Sequence, residues 1–261
     1  MRNRTVVRLA AAAGLLALGA CSDSSTSPAS LVDQTTLTTD VASSAGDAVA
    51  TDVQAMVGNE TFASFAAPVQ QAPASVTGDS VIYTRTSTCY DSTGTTTPCG
   101  TALVRKAVVH WSFAGFRDDT AANGAVFTGD VTRAADDTLF RNYTNGTEMS
   151  RTHDGVAVGS DTSSFAGPNV TRTYQEAGND SVEAVTWNLP RNTNPWPISG
   201  KIIRNVSVHA TFANATRSSS TTVTKRVEVD FPPDNQGNVL LRIDGKTCNL
   251  NLANHHVSNC Q

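Results

Sequence analysis

Charged and aromatic side chains are scarce in this chain. Asp, Glu, Lys and Arg make up 16% of its 261 residues and Phe, Trp and Tyr 6%, where an average soluble domain is roughly 25% charged. The net charge is −4 and no run of Lys or Arg occurs, which removes the electrostatic footprint that nucleic-acid binding needs. The cysteines show no CxxC spacing and the five histidines no HExxH or HxH, so a zinc site has no sequence support. There is no GxSxG elbow, no SxxK and no EF-hand loop, and hence no recognisable nucleophile or calcium site. Neither a metal nor a cofactor is expected. No apolar run is long enough for a typical membrane helix, and no repeat of fixed period is visible.

What is present is concentrated first at the N-terminus. Met1 to Cys21 reads MRNRTVVRLAAAAGLLALGAC. Arg2, Arg4 and Arg8 form a positive opening, Leu9 to Leu18 a short apolar stretch, and Gly19-Ala20 a small-residue approach to Cys21. This is the order of a secretory signal, and its Leu18-Gly19-Ala20-Cys21 ending resembles the lipobox of bacterial lipoproteins. The resemblance implies cleavage before Cys21 and acylation of its thiol, palmitate included. Several acyl chains on one cysteine anchor stably where a single one does not. Ser22 after the cysteine resembles the outer-membrane sorting pattern of diderm bacteria. The expected location is therefore the cell envelope, lipid-anchored, at the outer membrane. Loss of residues 1–20 removes three arginines and no acid, taking the net charge to −7.

The mature chain divides into a lipidated cysteine with a flexible tether over 21–38 and one folded domain over 39–261. The tether sequence SDSSTSPASLVDQTTL is polar and poor in apolar groups. Thr39 to Val57 is then the one convincing helix. Val41, Ala45, Ala48, Val49, Val53 and Met56 form a single apolar stripe, interrupted by Gly46, which weakens a helix interior by about 1 kcal/mol. Ala63 to Gly78, with Pro68 and Pro73, reads as an irregular connector.

Beyond it the composition turns to Thr, Ser, Asn and Val, and the hydrophobic period to two. Leu103, Ala107, Val109, Trp111 and Phe113 share one face. Ile202, Val206, Val208, Ala210 and Phe212 share another, as do Val227, Val229 and Phe231. Asn145-Gly146, Asp154-Gly155 and Asp244-Gly245 read as tight hairpin turns. Asp118-Asp119 and Asp136-Asp137 also read as turns. Eight to ten strands joined this closely predict a mainly β fold. It is an antiparallel meander forming a curved sheet or incomplete barrel, with the N-terminal amphipathic helix packed on its concave face. A closed barrel and a two-sheet sandwich are the alternatives. The expected shape resembles periplasmic lipoprotein carriers, with no motif linking them.

Four cysteines remain after Cys21, and in an exported protein they predict two disulfides. Three connectivities exist, and proximity favours Cys89 with Cys99 and Cys248 with Cys260, each stabilising by about 2–3 kcal/mol. His110 and His209 fall on polar strand faces and would form a site with an acid if their strands were neighbours. Trp196, held between Pro195 and Pro197, is a candidate contact for a ligand or partner. The expected function is a lipid-anchored, non-enzymatic envelope protein that binds an apolar ligand such as a lipid, or an envelope partner. A structural or adhesive lipoprotein, or a hydrolase with dispersed His and carboxylate residues, are the alternatives.

Overall fold

A computed structural model of the chain describes residues 31–59, 82–120, 126–166 and 169–261. Cys21, most of the tether and the Ala63–Gly78 connector lie outside the described residues. The helix α1 spans Gln34–Asn59, so Gln34 to Thr38 belong to it and not to the tether. The earlier start has a local cause in Asp33, whose carboxylate accepts the backbone N–H groups of Thr35 at 3.2 Å and Thr36 at 3.1 Å, an N-cap. Hydrogen bonds from Thr36, hydroxyl first, and from Thr35 hold the Asp33 carboxyl below its ordinary range.

Eleven strands follow: β1 (Ile82–Tyr90), β2 (Thr96–Thr97), β3 (Lys106–Thr120), β4 (Val126–Thr144), β5 (Thr147–Ala166), β6 (Thr171–Asn188), β7 (Ser199–Ala213), β8 (Ser218–Asp230), β9 (Asn238–Ile243), β10 (Lys246–Asn251) and β11 (Val257–Ser258). They form one sheet in the order β11-β10-β9-β8-β7-β6-β5-β4-β3-β1-β2, antiparallel throughout. From β3 to β11 each strand pairs with the next, as in a meander, and the end strands β2 and β11 do not meet, so the sheet is open.

Asn145-Gly146 and Asp244-Gly245 turn their hairpins with positive φ at both residues, the conformation a tight I′-type turn requires. Asp154-Gly155 does not turn the chain. It lies inside β5 at a register shift against β6, where the Asp154 carboxylate accepts the Ala184 N–H at 2.7 Å and a Cβ on Gly155 would meet the Asp136 carbonyl at 2.5 Å. The dipeptide bends a strand and does not end it. Asp136-Asp137 likewise sits in mid β4, and Asp118-Asp119 lies within β3. Leu103 precedes β3 and is exposed.

Side-chain bonds and packing join α1 to strands from β4 round to β11. Eight flat strands would span about 34 Å, against a helix about 10 Å across. One helix can touch both ends of that span only because the sheet curls around it. Leu37, Val41, Ala42, Ala45, Val49, Ala50 and Val53 are buried against Tyr174, Phe212, Ile202, Leu241, Ile243 and Leu250 in the main core. Gly46, a liability in an isolated helix, makes this approach fit: a Cβ there would lie 2.5 Å from Val257 Cγ2. A smaller cluster of Cys89, Val104, Ala107, Val109, Trp111, Phe113 and Leu139 fills the β1–β4 end.

Disulfides join Cys89 to Cys99 and Cys248 to Cys260, the two local pairings. No helix among the described residues is long and apolar enough to cross a membrane.

Candidate functional site

The sheet has a face turned to α1 and a face turned to solvent, and polar groups are assembled differently on each. On the inner face, Arg133 of β4 donates from Nε to Asp52 of α1 at 2.6 Å. Its Nη2 donates to Asp52 again and to Asp180 of β6. Arg204 of β7 approaches Asp180 from the other side, at 3.0 and 3.2 Å. All four are buried. Two glycines make room for them: a Cβ on Gly178 would lie 2.6 Å from the Arg204 guanidinium, and one on Gly159 would lie 3.1 Å from Arg133 Nη1.

Two cations and two anions balance, and a fifth buried group, Glu176, is in excess. Burial pushes its carboxyl up to about 7. Oε2 accepts the Ser44 hydroxyl of α1 at 2.7 Å while Oε1 has no partner. Burial also pushes Asp52 up to about 7 against the pull of Arg133, while Arg133 and Arg204 overcome burial to hold Asp180 below the usual range. The two carboxylates titrate as a pair. Nearer the helix start, Asp40 accepts Arg172 Nε at 2.7 Å and the Tyr174 hydroxyl at 2.6 Å. On the far flank His255 Nδ1 lies 2.8 Å from Asp47 and its Nε2 2.7 Å from Gln54, tying the loop closed by Cys248–Cys260 to α1. A further buried pair, His153 Nδ1 and Asp137 at 2.8 Å, lies edge-on to Trp187. The cleft left between α1 and strands β3–β5 and β7, bounded by Ser44, Asp47, Arg133, Asp161 and Arg204, holds about 30 Å³. These groups fasten a helix into a curled sheet, and most of their hydrogen bonds run to one another.

The outer face is open. On β3 and β4, His110 and Asp136 are directly opposite and bonded, Nδ1 to Oδ1, at 2.5 Å with both side chains more than half exposed. Thr84 and Ser112 bond across β1 and β3 at 2.7 Å. Small Ala134 lies beside the taller Val156 and Val158, each 56% exposed. That difference in height opens a groove of about 320 Å³ lined by Thr84, Thr86, His110, Ser112, Asp136 and the two valines, within the size range of ligand sites. Among the described residues no group of three or more His, Cys, Asp or Glu is placed to hold a metal ion.

The structure does not bring His110 and His209 together. They stand on β3 and β7, four strands apart, and His209 bonds Thr222 at 3.0 Å. Trp196 is half-buried against the main core, with its ring 2.8 Å from where a Gly237 Cβ would be. Trp111 and Trp187 are core residues. Sequence reasoning singled out none of Asp40, Asp52, Arg133, Glu176, Asp180 and Arg204. A signal was available: Arg204 has the inward phase of Ile202 and Val206, and Glu176 and Asp180 have that of Tyr174 and Val182. Charge at an apolar phase marks a buried ion.

The chain matches no protein-family model, no curated protein and no solved structure.

Proposed function

We propose that this is a lipid-anchored cell-envelope protein, held at the outer membrane by acyl chains on Cys21, that acts without catalysis by binding an envelope partner on the outer face of its sheet. The observation that carries the choice of face is the placement of α1. The concave side, the natural seat for an apolar ligand, is occupied by the chain's own helix, and the cleft beside it is about 30 Å³ with charged walls. The groove of about 320 Å³ and the exposed Val156 and Val158 lie on the opposite side.

The His110–Asp136 pair favours a second reading, a hydrolase, since the carboxylate fixes the imidazole as a base. Against it, no hydroxyl among the described residues bonds that imidazole. The backbone N–H groups around it are committed to the ladder between β3, β4 and β5, leaving no backbone donors for an oxyanion. Binding is the better-supported role.

The test begins with metabolic palmitate labelling, expected in the wild type and lost in Cys21→Ser. Native mass spectrometry of the purified protein, with solvent extraction, is then expected to find no stoichiometric lipid. A one-to-one lipid would overturn the assignment to the outer face and return the ligand to the helix side.

A further inference from the structure

The sheet leaves part of a long interior strand uncovered. β7 and β8 pair without a register shift from Lys201↔Asp230 to Ala213↔Ser218, but on its other side β8 meets β9 only over Val227–Asp230. The β9–β10 turn closes at Asp244, which holds Lys225. Ser218 to Thr224, reading Ser-Ser-Ser-Thr-Thr-Val-Thr, therefore has a strand on one side and none among the described residues on the other. Alternate residues point their N–H and C=O groups outward there.

Natural edges of this length carry a charge, a proline, a bulge or a covering element. This one has none of the first three over seven consecutive residues. Its side chains alternate between exposed Ser218, Ser220, Thr222 and Thr224 and half-buried Ser219, Thr221 and Val223, so the edge is accessible along its whole length.

We infer that this edge pairs with the same edge of a second copy, antiparallel about a two-fold axis near Thr221, continuing one sheet across two molecules. A two-fold contact must be self-complementary, and this sequence is. In the register centred on Thr221, which pairs Ser218–Thr224 with the same segment of the second copy, hydroxyls face hydroxyls or Val223, and no charge lies within the seven pairs. Cross-strand Thr–Thr and Thr–Ser pairs are favourable. In the register centred on Thr221, Arg217 comes beside the second copy's Lys225, whose charge is already matched by Asp244. Another strand segment with no strand on its second side among the described residues, Ile82–Thr88 of β1, differs in carrying Arg85 at its middle, which a two-fold axis there would set against itself.

The experiment is cysteine scanning of the full chain in its own membrane, with Ser218→Cys, Ser220→Cys, Thr222→Cys and Thr224→Cys, all exposed positions, and Ser160→Cys on the outer face as control. Mild oxidation of co-expressed variants is expected to give a disulfide-linked dimer for Ser220→Cys with Thr222→Cys and for Ser218→Cys with Thr224→Cys, the positions this register sets directly opposite, several-fold above the control and above any one variant alone. Adding Thr221→Lys is expected to abolish it, because two lysines would then face each other at the axis. A dimer yield no greater than the control in both of those combinations, or one equal in every combination and insensitive to Thr221→Lys, would overturn the pairing.

Discussion

The two flanks of α1 are packed by opposite means. Toward β7–β11 the helix presents Val41, Ala45, Val49 and Val53 to an apolar core. Toward β4–β6 it presents Asp40, Ser44 and Asp52, each buried on a partner from the sheet. Apolar packing gives most of the stabilisation, at roughly 25 cal/mol per Å² removed from water. A buried ion pair adds little net stability, because desolvation offsets the attraction, but losing one partner is costly. Labour is thus divided: the apolar flank holds α1 in the curl, and the charged flank fixes its rotation and depth.

The sharpest break in that comparison is Arg133→Met, which leaves Asp52 and Asp180 facing one another in the interior. It is expected to cost about 3–5 kcal/mol by urea unfolding. Replacing Arg133, Asp52 and Asp180 together by apolar residues of similar volume should recover most of that loss while loosening the helix register.

The second largest effect is pH-dependent. Glu176 titrates near 7 in the fold and near its ordinary value when unfolded, so the folded state binds this proton more tightly. Its contribution is fully present below about pH 4.5 and is lost as pH rises toward 7, by on the order of 3 kcal/mol. Asp52, also raised, acts in the same direction. Asp180, Asp33 and Glu148, the last held on β5 by hydrogen bonds from Arg141 and Arg151, are lowered, and their contributions are lost on the acid side, below this window. Unfolding series at pH 5 and pH 8 should show the wild type more stable at pH 5, with Glu176→Gln flattening the difference.

A smaller effect sharpens the apolar side. Gly46→Ala would stabilise an isolated helix by about 1 kcal/mol, but here the added methyl meets Val257. A net loss of about 1–3 kcal/mol is expected from overpacking. In a Val257→Ala background the same substitution should become neutral or favourable. The smallest effect lies outside both flanks: Asp33→Ala removes the cap and should lower thermal stability by about 1 kcal/mol.

How much of this was legible in the sequence follows the same division. The apolar stripe of α1 and the inward phase of β7 could be read because their partners are any apolar surface. Asn145-Gly146 and Asp244-Gly245 could be read because a tight turn is local chemistry. The charged flank could not be read in the same way. Asp40 and Asp52 look like a solvated helix face until Arg172 and Arg133, distant in sequence, are known to face them. Asp154-Gly155 and Asp136-Asp137 resemble turns because acid and glycine favour turns in isolation. Register with Ala184, His110 and His153 keeps them in strands. The solvent-facing groove was invisible because it depends on which of Ala134, Val156 and Val158 become neighbours across strands.

On this view α1 is a permanent part of the sheet's concave side and not a removable occupant. Hydrogen–deuterium exchange of the mature protein tests it most directly. Amides from Leu37 to Val53 are expected to exchange as slowly as those of β6 and β7, opening only with global unfolding. Exchange of α1 well ahead of those strands, under conditions where the sheet stays protected, would contradict the account and restore the concave face as a binding site.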